Sequence, residues 1–264
     1  MANLPNLYLW AWERPEDLQF LGNARVGVAF LAKTIYLTKA DPPASADLDG
    51  VRVRPRMQPL HIVPGTPLMA VVRIESVHGG LPGEYFDQNA APAPFSREQI
   101  SRIANEIVSV AQITGVSAIQ IDFDATLSEH NFYRELLLEV RKLLAENFPL
   151  SITALASWCI GDRWLEQLPP GTIDEAVPMV FRMGQGSMEV THNIAGGQGF
   201  TVSVCMTSLG LSTDEPFSHN VLTGKVSAAE GNPKNLRVYI FSPSSWKRAQ
   251  AEELLKGVDT WHAN

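Results

Sequence analysis

Histidine and cysteine are scarce in this chain, and neither gathers into a group. Six histidines and two cysteines are spread over 264 residues, which fits neither a zinc cluster nor a disulfide framework. Cys159 and Cys205 each end an apolar run and read as small buried hydrophobes. Basic residues are outnumbered as well. Lys and Arg total 21 against 28 Asp and Glu, a net charge of -7, which disfavours nucleic acid or an anionic membrane as a partner. No apolar run approaches transmembrane length. There is no Gly-x-Ser-x-Gly elbow, so a Ser–His–Asp hydrolase lacks its nucleophile turn. No glycine-rich loop follows a strand, which argues against a doubly wound, phosphate-cradling sheet. The opening Met1-Ala-Asn-Leu-Pro5 has neither the basic nor the apolar stretch of a signal peptide. On sequence alone that suits the cytoplasm; a chain already trimmed of an export signal would look the same.

What is present is a series of short apolar strands. Eight are expected: Leu7–Trp12, Arg25–Ala32, Leu68–Glu75, Val116–Asp124, Leu150–Cys159, Glu175–Met183, Phe200–Met206 and Leu236–Phe241. Two helices announce themselves by capping boxes, Ser96–Gln99 and Thr126–Glu129, each followed by apolar residues at helical spacing. A further short helix is expected over Met188–Ile194, and a final one starting at Ser245 and stopping at Gly257. Between the second and third strands, Thr34–Thr38 and Val51–Arg56 both alternate and flank a Pro/Ala linker, Asp41–Asp49. They read as a hairpin standing where a helix would be expected. Arg52, Arg54 and Arg56 share one face of its second arm, where charge discourages unwanted edge pairing. Strands separated by helices or long connections predict an α/β fold. The expectation is a single (β/α)8 TIM barrel over residues 1–264, with the hairpin as an excursion after the second strand.

The fourth strand is the most informative. Side chains alternate along a strand, so Gln120, Asp122 and Asp124 share one face and Ile119, Ile121 and Phe123 the other. A strand with acid at its end needs an apolar layer behind it and a polar space in front. Two carboxylates so close together also predict a raised pKa or a nearby cation. In a parallel barrel the strand C-termini open into one mouth. Read together, those ends gather Trp12 and Glu13, Arg73 and Glu75, Asp122 and Asp124, Ser157 and Trp158, Arg182, Met206 and Ser242. Acids, arginines and tryptophans converge there without a histidine; His78, His130 and His192 read as solvated loop residues. The Gly/Pro-rich loop from His78 to Pro94 is long enough to be functional.

Several segments in fixed order resemble the bacterial family called domain of unknown function 3142. They are Leu7–Arg14, Arg54–Pro59, Arg73–Glu75, Gln120–Ala125, Ser151–Cys159 and Val177–Met183. The resemblance implies no activity, but in outline it is similar to barrel glycoside hydrolases. A more distant likeness is to family 18 chitinases, whose fourth strand carries Asp-x-x-Asp-x-Asp-x-Glu. Ser117, Gln120, Asp122 and Asp124 fall on its four positions, and only Asp122 keeps the family's residue. Asp124 stands where the acid glutamate belongs. Its carboxyl is one methylene, about 1.5 Å, shorter in reach, and a misplacement of that size can cost roughly two orders of magnitude in rate.

Three readings follow. In the first, the protein is glycoside hydrolase-like, with Asp124 as general acid, Asp122 as its electrostatic partner and Glu75 beside them. Trp12, Arg73, Trp158 and Arg182 would hold a small-molecule or oligosaccharide ligand, the tryptophans offering apolar faces to sugar rings. In the second, the barrel binds carbohydrate without turning it over. In the third, Asp122, Asp124 and Glu75 hold magnesium or calcium for hydrolysis. The first two require no metal or cofactor. Nothing in the sequence specifies an oligomeric state.

Overall fold

A computed structural model describes residues 1, 3–22, 26–37, 50–76, 95–181, 190, 192, 199–222 and 236–254. The Asp41–Asp49 linker, the His78–Pro94 loop, Arg182, most of the helix expected over Met188–Ile194 and the stop at Gly257 lie outside them. Eleven strands are β1 (Leu7–Ala11), β2 (Glu16–Asp17), β3 (Val26–Leu37), β4 (Val51–Pro55), β5 (Leu60–His61), β6 (Leu68–Ser76), β7 (Val116–Asp122), β8 (Leu150–Leu155), β9 (Glu175–Met179), β10 (Ser208–Ser212) and β11 (Arg237–Phe241). Eight of them, β1, β3, β6, β7, β8, β9, β10 and β11, pair in parallel in that order. β1 also pairs with both β3 and β11, which closes the barrel. Helices lie between strands: α1 (Arg97–Ser109), α2 (His130–Leu143), α3 (Ala156–Ile160) and α4 (Pro216–Leu222), with helical turns again over 248–254. No helix among the described residues is long and apolar enough to cross a membrane.

Both capping boxes form. Ser96 Oγ accepts from Gln99 N at 3.2 Å while Gln99 Oε1 accepts from Ser96 N at 2.9 Å, so two orphan donors at the start of α1 are satisfied reciprocally. Glu129 Oε2 likewise accepts from Thr126 N at 2.7 Å, one short turn before α2. The stripes these caps launch, Ile100, Ile103 and Ile107 on α1 and Leu136 and Val140 on α2, bury against the outward faces of β6 and β7, Val72, Ile119 and Ile121.

The inward faces form a separate, smaller core of Tyr8, Trp10, Ala29, Met69, Val71, Ala118, Val177 and Tyr239. Large and small residues alternate around it. The Tyr8 ring lies so close over Gly27 that a Cβ there would sit 2.2 Å from Cε1, and a Cβ on Gly210 would sit 3.1 Å from Trp10 Cη2. Most polar groups inside the barrel are paired, although the buried Tyr8 hydroxyl has no hydrogen-bond partner among the described residues. Trp10 Nε1 donates to Gln120 Oε1 at 2.8 Å, and Gln120 Nε2 to Ser151 Oγ at 3.2 Å. Ser151 Oγ and Tyr239 Oη then donate to Glu175 Oε2 at 3.0 and 2.6 Å, with Arg237 Nη1 on Oε1 at 2.5 Å. A buried carboxylate is tolerable only with partners of this kind.

Five sequence expectations are corrected. The second strand does not stop at Ala32. β3 runs on to Leu37 through a bulge between Leu31 and Lys33 and is itself the hairpin's first arm, pairing antiparallel with β4 from Lys33–Pro55 to Leu37–Val51. Arg56 leaves the arginine face and instead donates to the carbonyls of Ala11, Trp12 and Arg14 at 3.2, 2.6 and 2.7 Å, clamping the exit of β1. β8 ends at Leu155 and the chain turns into α3, so Trp158 and Cys159 are helical. The seventh barrel strand is β10, Ser208–Ser212; the expected stretch Phe200–Met206 holds only a single helical turn, Ser203–Cys205. Finally, Cys159 and Cys205 are not separate thiols but a disulfide joining α3 to that turn. Each apolar run had delivered its cysteine to the same spot from 46 residues apart, a proximity that spacing alone does not reveal.

Candidate active site

The C-terminal ends of the strands surround a cavity of about 780 Å³. Its wall is built strand by strand: Trp10 and Trp12 from β1 and its exit, Arg73 from β6, Asp122 and Asp124 from β7 and its exit, Thr153 and Leu155 from β8, Met179 and Phe181 from β9, Phe241 from β11. Period-two alternation explains the set. Met179 and Phe181 continue the inward face of Glu175 and Val177, and Phe241 that of Arg237 and Tyr239.

Asp122 is 9% exposed. Its Oδ1 accepts a hydrogen bond from Thr153 Oγ1 at 2.7 Å, and its Oδ2 lies 4.0 Å from Arg73 Nε. Burial, with the Asp124 charge added, pushes the Asp122 carboxyl up to about 6, against the opposing pull of Arg73 and Thr153. Asp124 is open to solvent at the mouth, and its carboxyl is also raised, by partial desolvation that Arg73 opposes. Both carboxyls thus hold protons more readily than free aspartates, and the charge of one opposes ionisation of the other, the condition under which one carboxyl can donate while its neighbour stays charged.

Arg73 is held from several sides. Its Nε pairs with Glu75 Oε1 at 2.7 Å, and its guanidinium sits 5.4 Å from the centre of the Trp12 ring. Arg14 enters from the loop after β1, pairing with buried Glu16 at 2.7 Å, donating to the carbonyls of Ser242 and Pro243 and facing the Phe241 ring. Phe181 stacks on Phe241 at 5.7 Å and meets Trp10 edge-on at 6.2 Å. The cavity is thus an aromatic bowl with two aspartates on one side.

Of the residues expected at the site, Asp122, Asp124, Arg73 and Trp12 come together on its wall. Glu75 stands just behind, turned onto Arg73 and not lining the cavity. Trp158 is not a platform. It is 3% exposed, packed on the outer side among His130, Tyr133 and Trp164, because α3 rather than a strand carries it. Arg182 lies outside the described residues. Arg14, Thr153, Phe181 and Phe241 were missed. Thr153 and Phe241 sit on inward faces that alternation makes readable; Arg14 follows a loop that it does not reach. Among the described residues, no three His, Cys, Asp or Glu side chains gather as a metal-ligating group.

No protein-family model matches the sequence, and no curated protein does. Solved structures match by shape. A Streptomyces coelicolor protein described as a chitinase A aligns with a TM-score of 0.56 at 12% identity, covering 98% of this chain and 99% of its own. A family GH18 chitinase from Chromobacterium violaceum gives 0.56 at 10% identity, over 100% and 86%. A fungal endo-β-N-acetylglucosaminidase of glycosyl hydrolase family 18 gives 0.52 at 12% identity, over 96% and 97%. At such identities the likeness is one of fold: this chain shares the TIM barrel of family 18 glycoside hydrolases.

Proposed function

We propose that the protein is a glycoside hydrolase-like barrel that takes a carbohydrate into its mouth, with Asp124 as proton donor to the leaving oxygen and Asp122 as its electrostatic partner. One observation carries the reading: two carboxyls with raised affinity for protons stand together in a cavity walled by Trp10, Trp12, Phe181 and Phe241. Glycosidic bond cleavage needs one protonated and one ionised group beside an oxocarbenium-like centre, and the apolar faces of sugar rings pack on aromatics. Arg73, fixed by Glu75 and Trp12, holds the electrostatics of the pair and offers donors to ring hydroxyls. The barrel shared with the family 18 hydrolases and the fourth-strand resemblance fit this assignment. No family model supports the likeness to domain of unknown function 3142, and the assignment does not rest on it.

A second reading, a barrel that binds sugar without hydrolysing it, is favoured by one feature. Asp124 is an aspartate where the family 18 motif has glutamate, so its carboxyl reaches less far into the cavity. The test is a panel of α-linked and β-linked oligosaccharides, assayed for binding and for new reducing ends with wild type and Asp124→Asn. The hydrolase reading expects turnover by wild type and none by the variant, with binding of neutral oligosaccharides kept, because an amide cannot deliver the proton. Binding without turnover in either protein selects the silent barrel, and a panel blank for both rejects the carbohydrate reading.

A further inference from the structure

Among the described residues, the cavity's charges are not balanced one to one. Each arginine on the wall already has a carboxylate of its own outside it, Glu16 for Arg14 and Glu75 for Arg73, both at 2.7 Å. Asp122 and Asp124 have no cation of their own among the described residues; the approach of Arg73 to Asp122 is 4.0 Å, and to Asp124 no ion pair is formed. With all six groups ionised, two positive charges meet four negative ones. Asp122 is nine-tenths buried and lines the cavity, yet only its Oδ1 is hydrogen-bonded; no described residue donates to Oδ2. The surrounding aromatic faces accept cations: Trp12 and Phe241 already carry guanidinium groups at 5.4 and 5.9 Å.

We propose that the ligand is a cationic amino sugar, a glycan whose unacetylated amine enters the cavity as an ammonium and donates to Asp122 Oδ2 and Asp124. The proposal rests on the carbohydrate reading above and deepens it by naming the substrate class. An ammonium supplies the missing charge and the missing donor together. A neutral hydroxyl supplies only the donor, and an anionic sugar would face both aspartates. Against an ammonium, Trp10 and Phe181 are polarisable walls, and the exposed Leu155 offers an apolar surface to the sugar ring. The raised proton affinity of the pair, set first by desolvation and only partly offset by Arg73, agrees with a site that favours an arriving cation.

Three β-1,4-linked oligomers of equal length test this, differing only at C2: glucosamine, N-acetylglucosamine and glucose. Binding is measured calorimetrically just below neutral pH, where Asp122 is largely ionised and the amine largely an ammonium, in low and high salt, with wild type, Asp122→Asn and Asp124→Asn. The expectation is that the glucosamine oligomer binds wild type at least tenfold more tightly than the other two. That preference should shrink in high salt and fall to threefold or less in either variant. Asn is nearly isosteric with Asp, and thermal melts check that the variants fold. Equal binding of all three oligomers, or preference for the acetylated one, overturns the amino-sugar proposal and leaves the carbohydrate reading standing. No binding by any of the three overturns the proposal; the broader panel described above then decides the carbohydrate reading separately.

Discussion

Thr153 Oγ1 donates to Asp122 Oδ1 at 2.7 Å across the β7–β8 pair. This bond favours the charged form of a carboxyl that burial and Asp124 push the other way. Removing it with Thr153→Val, a change of similar shape, should raise the Asp122 carboxyl above its present value of about 6. A carboxyl that must ionise to act then does so later, so the acid limb of the kcat/KM profile should move to higher pH by roughly half a unit to one unit, since a single hydrogen bond to a charged group is worth about 1.5–3 kcal/mol before solvent replaces part of it. Carboxyl NMR titration of the folded variant gives the same readout without a substrate. An unchanged titration would show that Thr153 does not tune the pair.

Asp122→Asn should make the protein more stable at neutral pH. The folded carboxyl titrates near 6 and the unfolded one near its usual 3.8. Between these values the folded state binds more protons, so stability is greatest below the lower value and falls as pH rises through the upper one. A shift of this size is worth on the order of 2–3 kcal/mol as a ceiling, part of which Asp124 shares. The variant carries no such group. Its advantage over wild type, measured by urea unfolding, should be near zero at pH 4 and about 1–2 kcal/mol at pH 7.5. A functional carboxyl held at a cost to the fold predicts this sign; a merely structural ion pair predicts the opposite one.

The pattern of hits and misses follows from what a sequence encodes. The barrel was legible because alternation in β6, β7 and β11 and the capping boxes at Ser96 and Thr126 are local signals. Asp122, Asp124 and Arg73 were legible because all three continue the inward alternation of regular strands. Trp158 was misplaced because the apolar run from Leu150 to Cys159 hides a change of geometry at Ala156, where a strand gives way to a helix without a glycine or proline to mark it. β10 was missed for the converse reason. Ser208-Leu-Gly-Leu-Ser212 is short and half polar, and it is buried because Gly210 admits Trp10 and Ser208 Oγ donates to the Ala176 carbonyl at 3.1 Å, both long-range facts. Arg14 depends on Glu16, Ser242 and Phe241 at once, a convergence that only the closed barrel creates.

Gln120→Leu tests whether the barrel floor is held by its polar relay. The amide links Trp10 Nε1 to Ser151 Oγ, and through Ser151 to Glu175. Leucine fills similar space but strands the indole N–H and removes a donor from the serine. The loss of unfolding free energy should be about 2–4 kcal/mol, since each buried group left unpaired costs about 1–3. Because Trp10 lines the cavity, ligand affinity should fall in the same variant by more than global stability explains, seen as weaker binding well below the melting temperature. Stability within 0.5 kcal/mol of wild type, taken as roughly the noise of a neutral change, would mean that the relay is dispensable.

The Cys159–Cys205 disulfide makes the last prediction. It closes a loop of 46 residues that contains β9 and Phe181. Restricting such a loop in the unfolded chain is worth roughly 4 kcal/mol on the chain-entropy account. For a chain of this length each kcal/mol corresponds to about 2–4 °C, so a Cys159→Ser, Cys205→Ser double variant should melt on the order of 10 °C below wild type. Alkylation of the native protein should find no free thiol, and after reduction under denaturing conditions it should find two, since the chain has only two cysteines. The bond also bears on the cavity. Cys159 sits in α3, whose first residues Ala156 and Ser157 line the wall, and Thr201 N donates to the Cys159 carbonyl at 2.9 Å, tying the same helix down a second time. That second tie should keep α3 seated when the disulfide is lost. Ligand affinity at 20 °C should therefore change by less than threefold even as the melting temperature drops. A large loss of affinity at a temperature where the variant is folded would instead make the disulfide part of the cavity's architecture.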